Sequence, residues 1–347
     1  MNNIKTVNGN EIDPNAEGWL VGKFAPITTG HIYFISMAST LVKKLTVVLS
    51  YRDGLFSEDY LSWKKRMLYL KTVFKDIPHI EIQSVDETNV SAYPNGWSEW
   101  AELVKQVIPS DAKYVFSSEP SYTEGFNTYF PNCEHVVVDN NRDFENISAT
   151  MVRNDPMKYW SYMPSIVRQE LVKRVAVIGT ESCGKSTLVK YLAKLFQTSW
   201  VEEYGRTFCE QDMCMDERLL SFENYGTIAA RRYEQEQEAA RTANRILFAD
   251  TNAFITNFYC KLYEGRENPV VSDFEAMEKY DLVIFLTDDV DWVDDGLRIN
   301  SDREKTRNLM HEMLKSRGIE VVQISGNYNQ RFQQAADLCR SLIAYKE

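Results

Sequence analysis

Gly179-Thr180-Glu181-Ser182-Cys183-Gly184-Lys185-Ser186, with Thr187 next, carries the spacing G-x-x-x-x-G-K-[ST]. That spacing suits phosphate chemistry. Gly179 and Gly184 let the backbone curl so that N–H groups from residues such as Ser182 point inward at an anion. Lys185 reaches terminal phosphates, and the hydroxyls of Ser186 and Thr187 face the same anion, with Ser186 placed to ligate Mg²⁺. A helix starting there adds the positive end of its dipole. The context fits, because the apolar run VAVI precedes the loop and LVKYLAKLF follows it. Downstream, the apolar stretch RILFAD ends in Asp250, where a second carboxylate ligand for Mg²⁺ belongs, although aspartate also ends many plain strands. Asp294-Asp295-Gly296-Leu297-Arg298 leads to Arg303. Arg298 and Arg303 suit a lid over a transferred phosphoryl group, the bland alternative being a solvated helix start capped by Asp302.

A second phosphate loop stands earlier, in Gly22-Lys23-Phe24-Ala25-Pro26-Ile27-Thr28-Thr29-Gly30-His31. It reads as G-x-F-x-P-x-[HT]-x-G-H, which is similar to the signature of nucleotidyltransferases with an HxGH-type loop. Here Gly22, Phe24, Thr28 and Gly30 frame a bent turn at a helix start, and His31 supplies a donor where charge develops during attack on an α-phosphorus. Thr28 stands where many such loops carry histidine, and threonine cannot donate from a cation. Ile147-Ser148-Ala149-Thr150-Met151-Val152-Arg153 resembles the I-S-x-T-x-[IV]-R element that accompanies the loop. Ser148, Thr150 and Arg153 on one helix start suit the β- and γ-phosphates of ATP. Trp97 and Trp100, three residues apart, share a helical face that is either core or a stacking platform for a flat cationic ring.

These residues need strands and helices in alternation to hold them, and the chain supplies both. Strand-like runs fall at 18–24, 45–49, 80–84, 113–117 and 135–138, then at 174–178, 199–202, 246–249, 282–286 and 320–324. Amphipathic helical segments between them include 31–43, 61–74, 97–107, 185–196, 226–244 and 303–317. The fold class expected is α/β with two parallel-sheet domains, 1–170 and 171–347, joined through the aromatic segment 155–173. A length of 347 residues agrees, since single cores split at about 250–300 residues.

The formal net charge of -11 argues against a bulk nucleic-acid binder and leaves small-phosphate binding open. The first residues have no apolar core, and no apolar run approaches the roughly 20 residues of a membrane span. The six cysteines are scattered, as expected of reduced thiols in a cytoplasmic protein, and Cys209 with Cys214 lacks the partners of a zinc set.

Taken in order, the HxGH-type loop, the ISATMVR element, the aromatic bridge and the GTESCGKST loop resemble the NadR-type bifunctional family. Further similar stretches are SSEPSY, GWSEW, EYGR, DT at 250–251, WVDDGLR and NYNQRF, so the likeness runs from Gly18 to about Arg340. The resemblance implies a Rossmann-like nicotinamide mononucleotide (NMN) adenylyltransferase domain followed by a P-loop ribosylnicotinamide kinase domain. Nicotinamide riboside would be phosphorylated with MgATP to NMN, and NMN joined to AMP from a second ATP to give NAD. It further implies that Lys23, His31, Ser148, Thr150 and Arg153 serve the first triphosphate, with Ser118 near the adenosine. Lys185, Ser186 and Thr187 serve the second, with Arg298 and Arg303 on its lid and Glu203 and Arg206 near the riboside. Only about seventeen residues precede the first strand, too few for the helix-turn-helix of regulatory members, so DNA is not an expected partner. A homo-oligomer is compatible with all of this. Thr28 motivates an alternative in which only the kinase works and the first domain is a weak or regulatory NAD-binding remnant.

Overall fold

A computed structural model describes residues 4–91, 95–140, 144–290 and 302–345. The chain divides into two compact units, Met1–Val167 and Arg168–Glu347.

In the first unit β1 (Glu17–Gly22), α1 (Thr29–Thr40), β2 (Lys44–Tyr51), α2 (Trp63–Val73), β3 (Ile80–Asp86), α3 (Trp97–Lys105), β4 (Tyr114–Ser117), α4 (Thr123–Tyr129) and β5 (Glu134–Val137) follow in order, with α5 (Ala149–Asn154) after them. All strand pairs are parallel, in the order β3-β2-β1-β4-β5. Strands β2 and β1 read as near-continuous apolar runs because helices cover both faces of a parallel sheet, and six consecutive residues of β2 are buried. On one face Trp19 packs edge-on against Phe126 at 5.7 Å and tilted against Phe130 at 4.7 Å. The order reverses direction at β1, so the crevice beyond the ends of β1 and β4 is where this topology holds ligands.

α6 (Ser165–Leu171) carries the chain past the division. The second unit runs β6 (Lys173–Gly179), α7 (Lys185–Phe196), β7 (Trp200–Val201), α8 (Tyr204–Asp212), α9 (Phe222–Thr242), β8 (Ile246–Asp250), α10 (Ala253–Glu264), α11 (Pro269–Met277), β9 (Leu282–Leu286), α12 (Arg303–Ser316), β10 (Val322–Ile324) and α13 (Tyr328–Leu342). Its parallel sheet has the order β10-β9-β6-β8-β7 and reverses at β6. The core on one face joins Val175 and Val177 of β6 to Leu188, Val189 and Leu192 of α7 and to Ala335, Ala336 and Cys339 of α13. No helix among the described residues is long and apolar enough to cross a membrane.

Several boundaries differ from the sequence expectation. The strand expected at 199–202 is the pair Trp200–Val201, and the one expected at 320–324 is Val322–Ile324, both at sheet edges where pairing comes from one side only. The helix expected from residue 226 begins at Phe222, because the Ser221 N–H donates to Asn224 Oδ1 at 2.7 Å and so starts it earlier. Gly226 lies inside that helix with Val270 of α11 packed 3.5 Å from where its Cβ would stand. The helix expected from His31 starts at Thr29, since Thr28 is its cap, and stops at Thr40.

Candidate functional site

Each unit places a bent loop at its own switch point; the glycine bend expected of the first is made at Phe24 instead, since Gly22 ends the strand and Gly30 lies inside α1. In the first, Gly22 ends β1 and Phe24 turns with φ 45°, its ring occupying the space over Gly22, where a Cβ would meet it at 2.7 Å. The bend frees the chain to cap α1 with Thr28, which is 1% exposed. The Thr28 N–H donates to His31 Nδ1 at 3.1 Å, and Thr28 Oγ1 lies 3.0 Å from the same nitrogen. A backbone N–H only donates, so Nδ1 must be the acceptor and the neutral ring carries its proton on Nε2. Phe24 packs edge-on against the ring at 5.3 Å.

The two separated motifs meet. A Cβ on Gly30 would stand 3.2 Å from Ile147 Cγ2, and Thr29 Oγ1 donates to Glu145. Ser148 caps α5, accepting from Met151 N–H at 3.2 Å. From that short helix Arg153 donates to the Ala25 carbonyl and, at 2.8 Å, to Thr150 Oγ1. Buried Arg66 of α2 supports the other part of the loop, donating to the Lys23 carbonyl at 2.6 Å and the Leu61 carbonyl at 2.8 Å. The Phe56 ring lies against both guanidiniums, 5.4 Å from Arg66 and 5.2 Å from Arg153. Arginines on two elements thus hold the loop by its carbonyls.

Beside the loop opens a cleft of about 550 Å³, bordered by Gly22, Lys23, Arg52, Glu87, Trp97 and Trp100 among others. Glu87 accepts from Ser50 Oγ at 2.7 Å and lies 3.9 Å from the Lys23 ammonium. Trp97 and Trp100 lie between the core and the cleft. They pack against the core around Trp19 and Phe126, edge-on to one another at 5.3 Å, and they wall the cleft. Ser118 is half-buried just beyond β4.

In the second unit Gly179 has φ 147° and Gly184 φ 88°, conformations that only glycine adopts without strain. A Cβ on Gly179 would meet the Leu286 carbonyl at 2.6 Å, since β9 runs alongside. Ser182 turns within the loop at φ 52°, and Ser186 lies in the first turn of α7. The Lys185 ammonium donates to the Thr180 carbonyl at 2.9 Å and the Gly179 carbonyl at 3.3 Å across the loop mouth. Thr187 borders a small hollow with Tyr191, Tyr328 and Phe332. Buried Arg331 of α13 donates to the Cys183 carbonyl at 2.6 Å and the Thr287 carbonyl at 3.0 Å. Burial pushes the Cys183 thiol up while Lys185, Arg331 and Arg303 pull it down, so three cations converge on this loop. Arg303, at the start of α12, donates to the Val290 carbonyl at 3.0 Å, and Asp302 is the helix cap, accepting from Lys305 N–H at 3.0 Å. Arg298 lies outside the described residues, as does the polar loop 294–297 leading to it.

Asp250, 1% exposed, ends β8 in register with Val177, two residues before the loop begins. Glu203 and Arg206 border a hollow together with Glu181, Arg232, Thr251 and the rings of Tyr204, Tyr225, Tyr259 and Tyr263. The phosphate loop contributes Glu181 and the end of β8 contributes Thr251, so the hollow adjoins both. Motif reading passes over Glu181, which occupies a free position of the pattern. Arg66, Glu87 and Arg232 carry no local signal at all, and Arg331 lies in the NYNQRF stretch without its role being marked there.

Residues 174–331 match the AAA domain family. The chain is 35% identical over 345 residues to the trifunctional NAD biosynthesis/regulator protein NadR of Salmonella typhimurium, a match covering 94% of this chain and 83% of that protein. It shares its fold with a NadR protein solved in complex with NR (TM-score 0.82, 24% identity, 96% of this chain and 97% of that one). It also matches a NadR protein solved with NAD and AMP-PNP (TM-score 0.79, 24% identity, 97% and 99%).

Proposed function

The chain belongs to the NadR family of NAD-biosynthesis proteins, and from that premise we propose that it makes NAD in two consecutive steps, one on each unit. The unit after Val167 phosphorylates nicotinamide riboside. The riboside's primary hydroxyl attacks the γ-phosphorus of ATP, the bond to the β-phosphate oxygen breaks, and NMN and ADP leave. Lys185, Arg303 and, on the lid, Arg298 hold the charge of the moving phosphoryl group. Glu203 and Arg206 hold the ribose, and the tyrosines of the hollow offer faces to the cationic ring. Glu181, Glu203 and Asp250 are the carboxylates available to orient the hydroxyl.

Among the described residues no group of three or more His, Cys, Asp or Glu is arranged to hold a metal ion. A divalent ion here would rest on the Ser186 hydroxyl, the Asp250 carboxylate and the nucleotide's own phosphate oxygens. That all-oxygen set suits Mg²⁺. When bound, the ion neutralises phosphate charge.

The first unit joins NMN to AMP. The NMN phosphate attacks the α-phosphorus of a second ATP, the α–β bridge breaks, and pyrophosphate leaves with NAD. His31 Nε2–H, Lys23, Ser148, Thr150 and Arg153 face the triphosphate, with Gly22, Phe24, Thr28 and Gly30 shaping the loop and Ser118 near the adenosine. Trp97 and Trp100 stack the nicotinamide. The observation that carries the proposal is the presence on one chain of two separate switch-point crevices, each with its own bent loop leading into a helix, turned at Phe24 in the first unit and at Gly179 and Gly184 in the second. Two ATP-using steps and six free thiols among the described residues fit a cytoplasmic enzyme.

The test is one incubation with nicotinamide riboside and MgATP, followed by chromatography for ADP, NMN and NAD. NMN followed by NAD supports both steps. NMN without NAD restricts the proposal to the kinase, and no loss of riboside refutes it.

A further inference from the structure

Within the second unit a charged network is centred on two buried residues and takes no part in the steps above. Arg232 of α9 and Glu236, one turn on, are 1% and 2% exposed. Arg232 donates to Glu236 at 2.8 Å, to Glu278, to the Tyr280 hydroxyl, and to the backbone carbonyl of Thr251 at 3.0 Å. Tyr280 donates to Glu236 at 2.7 Å, and Arg174 of β6 closes the set at 2.6 Å from the other Glu236 oxygen. Buried ion pairs of this kind are weak evidence for stability, because well-packed apolar side chains do as well. Their placement is more informative.

We propose that Arg232 is a positioning residue of the phosphoryl-transfer site, holding the Asp250–Thr251 turn in a strained conformation and so fixing the Asp250 carboxylate beside the phosphate loop. The inference rests on the kinase reading of this unit. Thr251 has φ 70°, a genuine outlier for a β-branched residue. Such strain persists only where the surroundings over-determine it, and it clusters at functional sites. The turn is gripped on three sides. Arg232 takes the Thr251 carbonyl, Val177 of β6 accepts the Thr251 N–H at 3.0 Å, and Glu278 accepts the Ala253 N–H at 3.0 Å. Asp250, Thr251 and Asn252 are three consecutive polar residues, each at most 5% exposed. Arg232 and Thr251 also border the hollow assigned to the riboside, so the turn faces both reactants. Only a guanidinium can do this. Its planar fork serves two carboxylates and a carbonyl at once, whereas an ammonium is a point charge on a flexible stem.

The experiment measures kcat and KM for riboside phosphorylation with MgATP, alongside thermal unfolding, in wild type, Arg232→Lys and Arg232→Lys/Thr251→Gly. Arg232→Lys keeps the charge and is expected to lower kcat at least tenfold with KM for ATP within about twofold. Adding Thr251→Gly should restore kcat several-fold, because glycine adopts φ 70° without strain. A residue that merely fills space predicts no such rescue. Glu278→Gln keeps an acceptor for the Ala253 N–H while removing a charge, and should lower kcat at least threefold even where Arg232→Lys does not fold. The inference falls if kcat of folded Arg232→Lys stays within twofold of wild type, if the double variant is no better than the single, or if folded Glu278→Gln matches wild type. A wild type that turns over no riboside overturns the kinase reading itself, and the inference with it.

Discussion

At His31, Nδ1 is engaged by the Thr28 N–H, so Nε2 presents the proton. This bears on the position where threonine replaces the histidine of many related loops. What orients His31 is the backbone of residue 28, which any residue except proline supplies. The Thr28 hydroxyl adds a helix cap worth about 1 kcal/mol. His31→Ala should therefore lower NAD formation from NMN at least a hundredfold, in the range seen when one transition-state donor is removed. Thr28→Val should lose only several-fold, and Thr28→Ser almost nothing. Steady-state assays of the three variants decide the matter, and equal losses in Thr28→Val and His31→Ala would show that the hydroxyl itself is needed. In the second unit Lys185 bonds two loop carbonyls and no acidic side chain in the described geometry. Lys185→Ala should accordingly abolish riboside phosphorylation while moving the melting temperature by no more than a few degrees, which a kinase assay and a thermal melt check together.

Elements impose their own constraints. His135 on β5 is 2% exposed and sits between Ser117 Oγ at 2.8 Å and Thr123 Oγ1 at 2.9 Å, tying β5 to the end of β4 and the start of α4. Burial pulls it from 6.5 down to about 4. The folded state thus binds a proton less readily than the unfolded chain. Its contribution is whole above pH 6.5 and is lost as pH falls from 6.5 toward 4, by about 3 kcal/mol at most. Urea unfolding of the chain at pH 7 and 4.5 should show this loss, and His135→Gln should remove it. What the sequence makes legible follows from the same constraints. Gly179 and Gly184 declare a loop because their φ values exclude other residues, and the run in β2 declares a strand because helices bury both of its faces. The roles of Arg66 and Arg331 were illegible because each acts on a backbone carbonyl far away in sequence, Lys23 in one case and Cys183 in the other. Neither periodicity nor spacing encodes such a contact. Trp97 and Trp100 were half legible, because one helical face serves as both core and cleft wall.

Over the whole molecule, each unit has its own sheet, its own switch point and its own phosphate loop, so the two chemistries should be separable by single substitutions. Lys185→Ala should still convert NMN to NAD at the wild-type rate, and His31→Ala should still convert riboside to NMN. Neither variant alone should make NAD from riboside. Mixed in one tube, they should, because NMN is a small, soluble product that the kinase unit of one chain can release and the transferase unit of another can bind. The rate should rise with the concentration of the His31→Ala partner until the transferase step limits. The comparison that matters is with wild type at matched active-site concentrations. If the mixture reaches the same steady rate after a lag in which NMN accumulates, the intermediate travels through solution. A mixture that makes no NAD, while each variant keeps its own half-reaction, would mean that NMN must pass between the two sites of a single chain.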